Sequence, residues 1–202
     1  MEPLPSGFVE DFYLARKRFV EELAREAFNP SKLLELSTRL SVMVATSGPA
    51  GINVAPFMVS FVPKQEYLGE VNKRFREFLG SGGSMREAAE LLLETVYNDD
   101  MVDPLKLVSH LMNRGHTWIN VEATGKAALG ILVPPDKAAY EVRTRATIVG
   151  EGPLYEYANL VHDVVHARGR NVRSHPWCPA LLFEIDEIYD NSYQALGRRI
   201  YP

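Results

Sequence analysis

Along the first forty positions apolar residues return every three or four places. Phe8, Phe12, Leu14, Phe19, Leu23 and Phe28 are separated by Glu and Arg, which predicts an amphipathic helix. Asn29-Pro30 should break it, and Ser31 then caps a second helix carrying Leu33, Leu34 and Leu36. At Leu40 the period shortens. LSVMVATS, a GPAG turn and INVAPFMVSFV, which ends at Pro63, read as two strands of a hairpin, with Pro56 marking the second as an edge strand or a bulge.

Helical spacing resumes at about Lys64. EYLGEVNKRFREFLG and SMREAAELLLETVYN predict two helices joined by Gly80-Ser81-Gly82-Gly83, with Ser84 and Glu87 forming a capping box. Asp103-Pro104 is expected to open a short third helix through Met112, ended by Gly115. HTWINVEAT, AALGILVPP and YEVRTRATIVGEG then predict strands. In the last, Val142, Thr144, Ala146 and Ile148 share one face and Arg143, Arg145 and Thr147 the other. LYEYANLVHDVVHAR is a helix expected to stop at Gly169, and ALLFEIDEIY is a final strand. About six mostly antiparallel strands with helical excursions make an α+β chain. It reads as one domain over 1–202: a helical arm (1–39), a first β-hairpin (40–63), a helical insertion (64–114) and the remaining strands and helix (115–202).

Composition narrows the function classes. Of 202 residues, 46% are hydrophobic and 24% charged, which excludes wholesale disorder. The net charge of −4 argues against a nucleic-acid partner. No apolar run approaches the roughly 20 residues of a membrane helix, and the acidic, proline-broken start is unlike a signal peptide, so a cytoplasmic protein without a membrane partner is expected. One cysteine, Cys178, excludes an intrachain disulfide.

Several clusters carry chemistry on paper. His162 and His166 lie four apart in HDVVH and present two imidazoles on one helix face, with His175 or Glu184 as a conceivable third ligand. Cys178 beside His175 and Trp177 reads as a structural thiol rather than a nucleophile. The glycine-rich linker 80–83 lacks the lysine of a phosphate loop, and the run Asn98-Asp99-Asp100 with Asp103 reads as a solvated turn with a helix cap.

Four segments in order resemble the FMN-binding split-barrel superfamily, the pyridoxamine-phosphate-oxidase-like and flavin-reductase-like proteins. They are VMVATSGPAGINVAPFMVSFV, LKLVSHLMNRGHTWINVEA, YEVRTRATIVGEGPLYEYANLVHDVV and ALLFEIDEIYD. The resemblance implies a mostly antiparallel split β-barrel, here with an N-terminal helical arm and a helical insertion longer than the simplest members carry. It also implies FMN as cofactor, hydride transfer between a nicotinamide or similar donor and a small-molecule substrate, and a homodimer. By position in the resemblance, Thr46, Ser47 and Asn53 face the flavin, Lys106, Ser109 and His110 hold its phosphate, and Arg143 or Arg145 adds a positive contact. The basic-Thr-Lys cluster that often grips the flavin phosphate has no clear counterpart. This leaves two alternatives: a non-catalytic module that has lost its cofactor and acts in partner binding or assembly, and a metal-dependent enzyme using His162 and His166.

Overall fold

The computed structural model describes residues 4–25, 39–133, 138–166 and 176–202. The chain opens with helix α1 (Ser6–Phe8), which runs through a π-helical stretch (Val9–Leu14) into α2 (Ala15–Arg25). The expected break at Asn29-Pro30 and the helix capped by Ser31 lie outside the described residues. Phe8, Phe12, Phe19 and Val20 are buried, as the helical spacing requires. Phe12 and Tyr13 pack edge-on against Phe61, at 5.5 and 4.9 Å. The arm is also bolted down by polar contacts: the Tyr13 hydroxyl donates to Asp99 (2.6 Å) and the Tyr140 hydroxyl to Asp11 (2.5 Å). The turn at Asp99 is therefore a docking point for the arm, and the Tyr13 hydrogen bond holds its carboxyl below the usual range.

Strands β1 (Ser41–Gly48) and β2 (Gly51–Met58) form the predicted hairpin, paired from Ser41 opposite Met58 to Gly48 opposite Gly51. A two-residue connection requires a positive φ nearby, and Gly51 supplies it at 80°. The second predicted run divides at buried Val59, because the chain leaves the hairpin there and crosses to β3 (Ser60–Pro63) at the other end of the sheet. Helices α3 (Leu68–Ser81) and α4 (Met85–Thr95) follow as expected. Gly82 ends the first in the left-handed region, and the Ser84–Glu87 capping box opens the second.

Two sequence expectations fail in the next stretch. The helix expected from Asp103-Pro104 to Met112 is strand β4 (Val102–His110), and the strand expected at HTWINVEAT is helix α5 (His116–Thr124). Asp103 accepts from the Leu105 N–H instead of capping a helix. Strand β4 pairs with β3 and β7 at once, and a register shift opposite Phe61/Val62 absorbs Pro104. Leu107 and Val108 are almost fully buried between these neighbours, so ladder and burial outweigh the local proline signal. In α5 the buried residues Thr117, Asn120 and Val121 follow helical spacing, and Gly115 and Gly125 stand at its two ends.

The chain continues with β5 (Lys126–Val133), β6 (Ala138–Val149), α6 (Gly152–His166), β7 (Ala180–Asp190) and β8 (Arg198–Tyr201), the last unanticipated. Helix α6 reaches His166, and the stop expected at Gly169 falls outside the described residues. The sheet order is β2-β1-β5-β6-β7-β4-β3, with β8 on β7 and every pair antiparallel. Edge strand β2, where Pro56 sits, comes back towards β4: Ser109 Oγ donates to the Met58 carbonyl at 2.5 Å, and the Val59 N–H donates to Leu40 (2.9 Å). No ladder joins β2 to β4. The result is an α+β fold around an antiparallel split β-barrel, filled by Val44, Leu129, Val142, Leu107 and Phe183.

Candidate functional site

A cleft of about 700 Å³ lies beside the split between β2 and β4. Strand β2 gives it Asn53, Ala55, Pro56, Phe57 and Met58. Ser60 follows from β3, and β4 gives Val108, Ser109 and His110. Leu111, Met112, Asn113, Gly115, His116 and Thr117 also line it, and α6 contributes Ala158, Val161, His162 and His166. Its size and mostly apolar lining suit a small-molecule ligand.

The position of β2 depends on α5. Asn120, fully buried, accepts from the Ala50 N–H (2.9 Å) and donates to Gly51 O (2.8 Å) and Thr46 Oγ1 (3.2 Å). It thereby clamps the hairpin turn to the helix. Gly48 allows this approach, since a Cβ there would stand 2.9 Å from Asn120 Oδ1. One turn earlier, Asn53 donates to Thr117 Oγ1 at 2.8 Å and is held at the cleft edge.

Of the site residues inferred from the sequence, Asn53, Ser109 and His110 line this cleft. Thr46 is buried and accepts from Asn120, while Ser47 is exposed on the opposite side of β1. Ser109 is spent on the Met58 carbonyl. Lys106 lies on β4 rather than on a helix and is paired with Asp103 (3.0 Å). Arg143 and Arg145 occupy the exposed side of β6. The first engages Glu141 and Glu187, the second Asp186 and Glu184, and neither lines the cleft. Glu184 is thus tied to Arg145, and His175 lies outside the described residues. The Cys178 N–H donates to Asn159 Oδ1 in a buried contact, in keeping with a structural thiol.

Sequence reasoning missed Thr117 and Asn120, because both sit in the segment read as a strand. Glycines at both ends of HTWINVEAT were the available signal for a helix. It also missed the company that His110 keeps. Its ring packs against His162 with centroids 4.5 Å apart, and His162 packs against His166 at 4.4 Å.

No protein-family model and no curated protein matches the chain. Solved structures do. HupZ from Group A Streptococcus aligns over 86% of this chain and 99% of its own, with 15% identity and a TM-score of 0.49. An FMN-binding protein from Syntrophomonas wolfei aligns over 89% and 95%, with 17% identity and a TM-score of 0.44. A protein related to general stress protein 26, of the pyridoxinephosphate oxidase family, from Clostridium acetobutylicum aligns over 91% and 93%, with 14% identity and a TM-score of 0.44. At these identities each match is a likeness of fold, in one case to a protein described as FMN-binding and in another to one described as of the pyridoxinephosphate oxidase family.

Proposed function

We propose that this chain binds FMN in the cleft between β2, β4, α5 and α6 and serves as an oxidoreductase towards a small acceptor. The observation that supports this is the joining, in one cleft, of an apolar wall and the start of a helix. Ala55, Phe57, Met58 and Val161 offer a surface for an isoalloxazine, and the α5 N-terminus opens at the edge. The first N–H groups of a helix have no intrahelical acceptor and favour an anion, so the flavin phosphate belongs there, near His116. Asn53, held by Thr117, and Asn113 present amides to the polar edge of the ring. Bound FMN would supply the hydride chemistry, from a nicotinamide or similar donor. The protein's part is to orient the ring, hold its phosphate at the α5 N-terminus and keep water from its face.

A homodimer belongs to the same reading. Met43, Ile52, Val54 and Leu132 are exposed, and the register sets Met43 beside Pro56 and Gly130, and Ala45 beside Val54 and Ala128. A second copy of the chain covers this apolar sheet face.

One observation favours the module without cofactor: among the described residues, no Lys or Arg lines the cleft. Titration with FMN and riboflavin separates the readings. Binding of FMN quenches flavin fluorescence at one site per chain, raises the melting temperature as native-state ligands do, and is stronger than riboflavin binding by the phosphate's contribution. In Asn53→Leu it weakens at least about tenfold, the loss of one well-made polar contact. Absence of saturable FMN binding overturns the flavin reading.

A further inference from the structure

We infer that Arg16, carried by the helical arm, is a positioning residue for the cleft, acting through the bend that joins β2 to β3. Met58 and Ser60 line the cleft, and Val59 between them is fully buried. Val59 stands between two ladders, because the pairing of β2 ends at Met58 and that of β3 begins at Ser60. Its N–H donates to Leu40 O (2.9 Å). Three buried side chains from three elements hold carbonyls of this stretch. Ser109 of β4 donates to Met58 O (2.5 Å), Arg16 of α2 to Val59 O (3.3 Å) and Tyr157 of α6 to Phe61 O (2.5 Å). Strand β4 and helix α6 themselves line the cleft, whereas α2 does not. Arg16 is thus the point at which the arm reaches the cleft wall without touching the cleft.

No ion pair offsets the burial of this guanidinium. Arg16 is 4% exposed, Phe12 lies against it at 3.9 Å, and among the described residues its Nη2 has no hydrogen-bond partner. A buried polar group left partly unsatisfied calls for a role other than stability. A methionine stem would cover the same apolar surface without the charge. What the guanidinium adds is a charged donor at Val59 O, and a hydrogen bond to a charged group is stronger than a neutral one. It holds the one peptide that neither ladder fixes, and with it the directions of Met58 and Ser60. The arm offers a firm base for this, since Phe12 and Tyr13 pack on Phe61 and Tyr13 is tied to Asp99.

The consequence for affinity rests on the flavin reading, whereas the order of the bend does not. Arg16→Met keeps the stem and loses the donor, and Arg16→Lys keeps a cationic donor. Amide hydrogen exchange read by mass spectrometry should be faster in Arg16→Met across residues 58–61 and unchanged in α3 and β5, with the melting temperature close to that of the wild type. In a wild type that binds FMN, Arg16→Met should bind it about three- to tenfold more weakly, the range of one hydrogen bond's net contribution, and Arg16→Lys should recover most of that loss. Should Arg16→Met fail to fold, Arg16→Gln, shorter and neutral, takes its place. Unchanged exchange across 58–61 in the folded variant, undiminished FMN affinity, or equal losses in the methionine and lysine variants overturns the inference. A wild type that binds no FMN refutes the flavin reading, and exchange alone then decides whether Arg16 orders the bend.

Discussion

Replacing Asn120 by alanine tests the link between fold and cleft most directly. The amide makes three hydrogen bonds, to Ala50 N–H, Gly51 O and Thr46 Oγ1, from a position with no solvent exposure. At about 1 kcal/mol net for each, their loss costs about 3 kcal/mol. Thr46 is only 4% exposed and loses this donor, which brings the total to about 4 kcal/mol. That is a large share of the 5–15 kcal/mol typical of a domain. Urea unfolding followed by circular dichroism should show a lower midpoint at unchanged slope. The hairpin also loses its clamp to α5, so FMN binding at β2 should weaken in conditions where the variant is still folded. Thr117→Val removes only the acceptor of Asn53 and should cost about 1 kcal/mol. A loss below about 1 kcal/mol in Asn120→Ala would refute the view that this amide positions the wall of the cleft.

Other substitutions probe the packing and the proposed assembly. Ser84→Ala should cost about 1 kcal/mol through the lost cap of α4. Hydrogen bonds from Ser84 hold the Glu87 carboxyl below its ordinary value of 4.5, so its contribution is present above that pH and lost as pH falls through the depressed value; Glu87→Gln should flatten the acid limb of a stability–pH curve. Arg16 is buried, and desolvation pushes its guanidinium down to about 10. Burial disfavours the charged form, and stacking on Phe12 and a hydrogen bond to Val59 O partly offset this. Arg16→Met should therefore change stability by less than about 1 kcal/mol, whereas Arg16→Ala, which loses the packed stem, should cost about 3; thermal unfolding showing equal losses would contradict this. Val54→Lys should shift a dimer to monomer in sedimentation velocity, without altering the melting curve of the monomer.

The elements that could be read directly are those whose own side chains carry the information. The described part of the arm, β1, α3, α4, β5, β6, α6 and β7 each have a hydrophobic period that matches the burial they achieve, whereas Ile52 and Val54 of β2 are exposed. The capping box at Ser84 and Glu87 is wholly local, and the structure contains both of its hydrogen bonds. Pro56 likewise marked the edge strand that it occupies. The two misread segments share a different cause. VDPLKLVSH carries a helix-start signal in Asp103-Pro104, yet it is held as a strand by β3 and β7, which are distant in sequence. HTWINVEAT is rich in strand formers, but its helix is fixed by Asn120 reaching the β1–β2 turn some seventy positions away.

The candidate site divides along the same line. Two imidazoles at helical spacing were legible, because four residues span one turn of a single element. That His110 would join them was not, since it depends on which neighbour β4 pairs with and where α6 crosses its end. Lys106, Arg143 and Arg145 had suitable charge for a phosphate, but charge says nothing about direction, and each is turned to a carboxylate on a neighbouring position. Local periodicity and caps thus settled what each segment is, while long-range pairing settled where its polar groups meet, because a hydrogen bond or ring contact between distant positions has no trace in the pattern of either one alone.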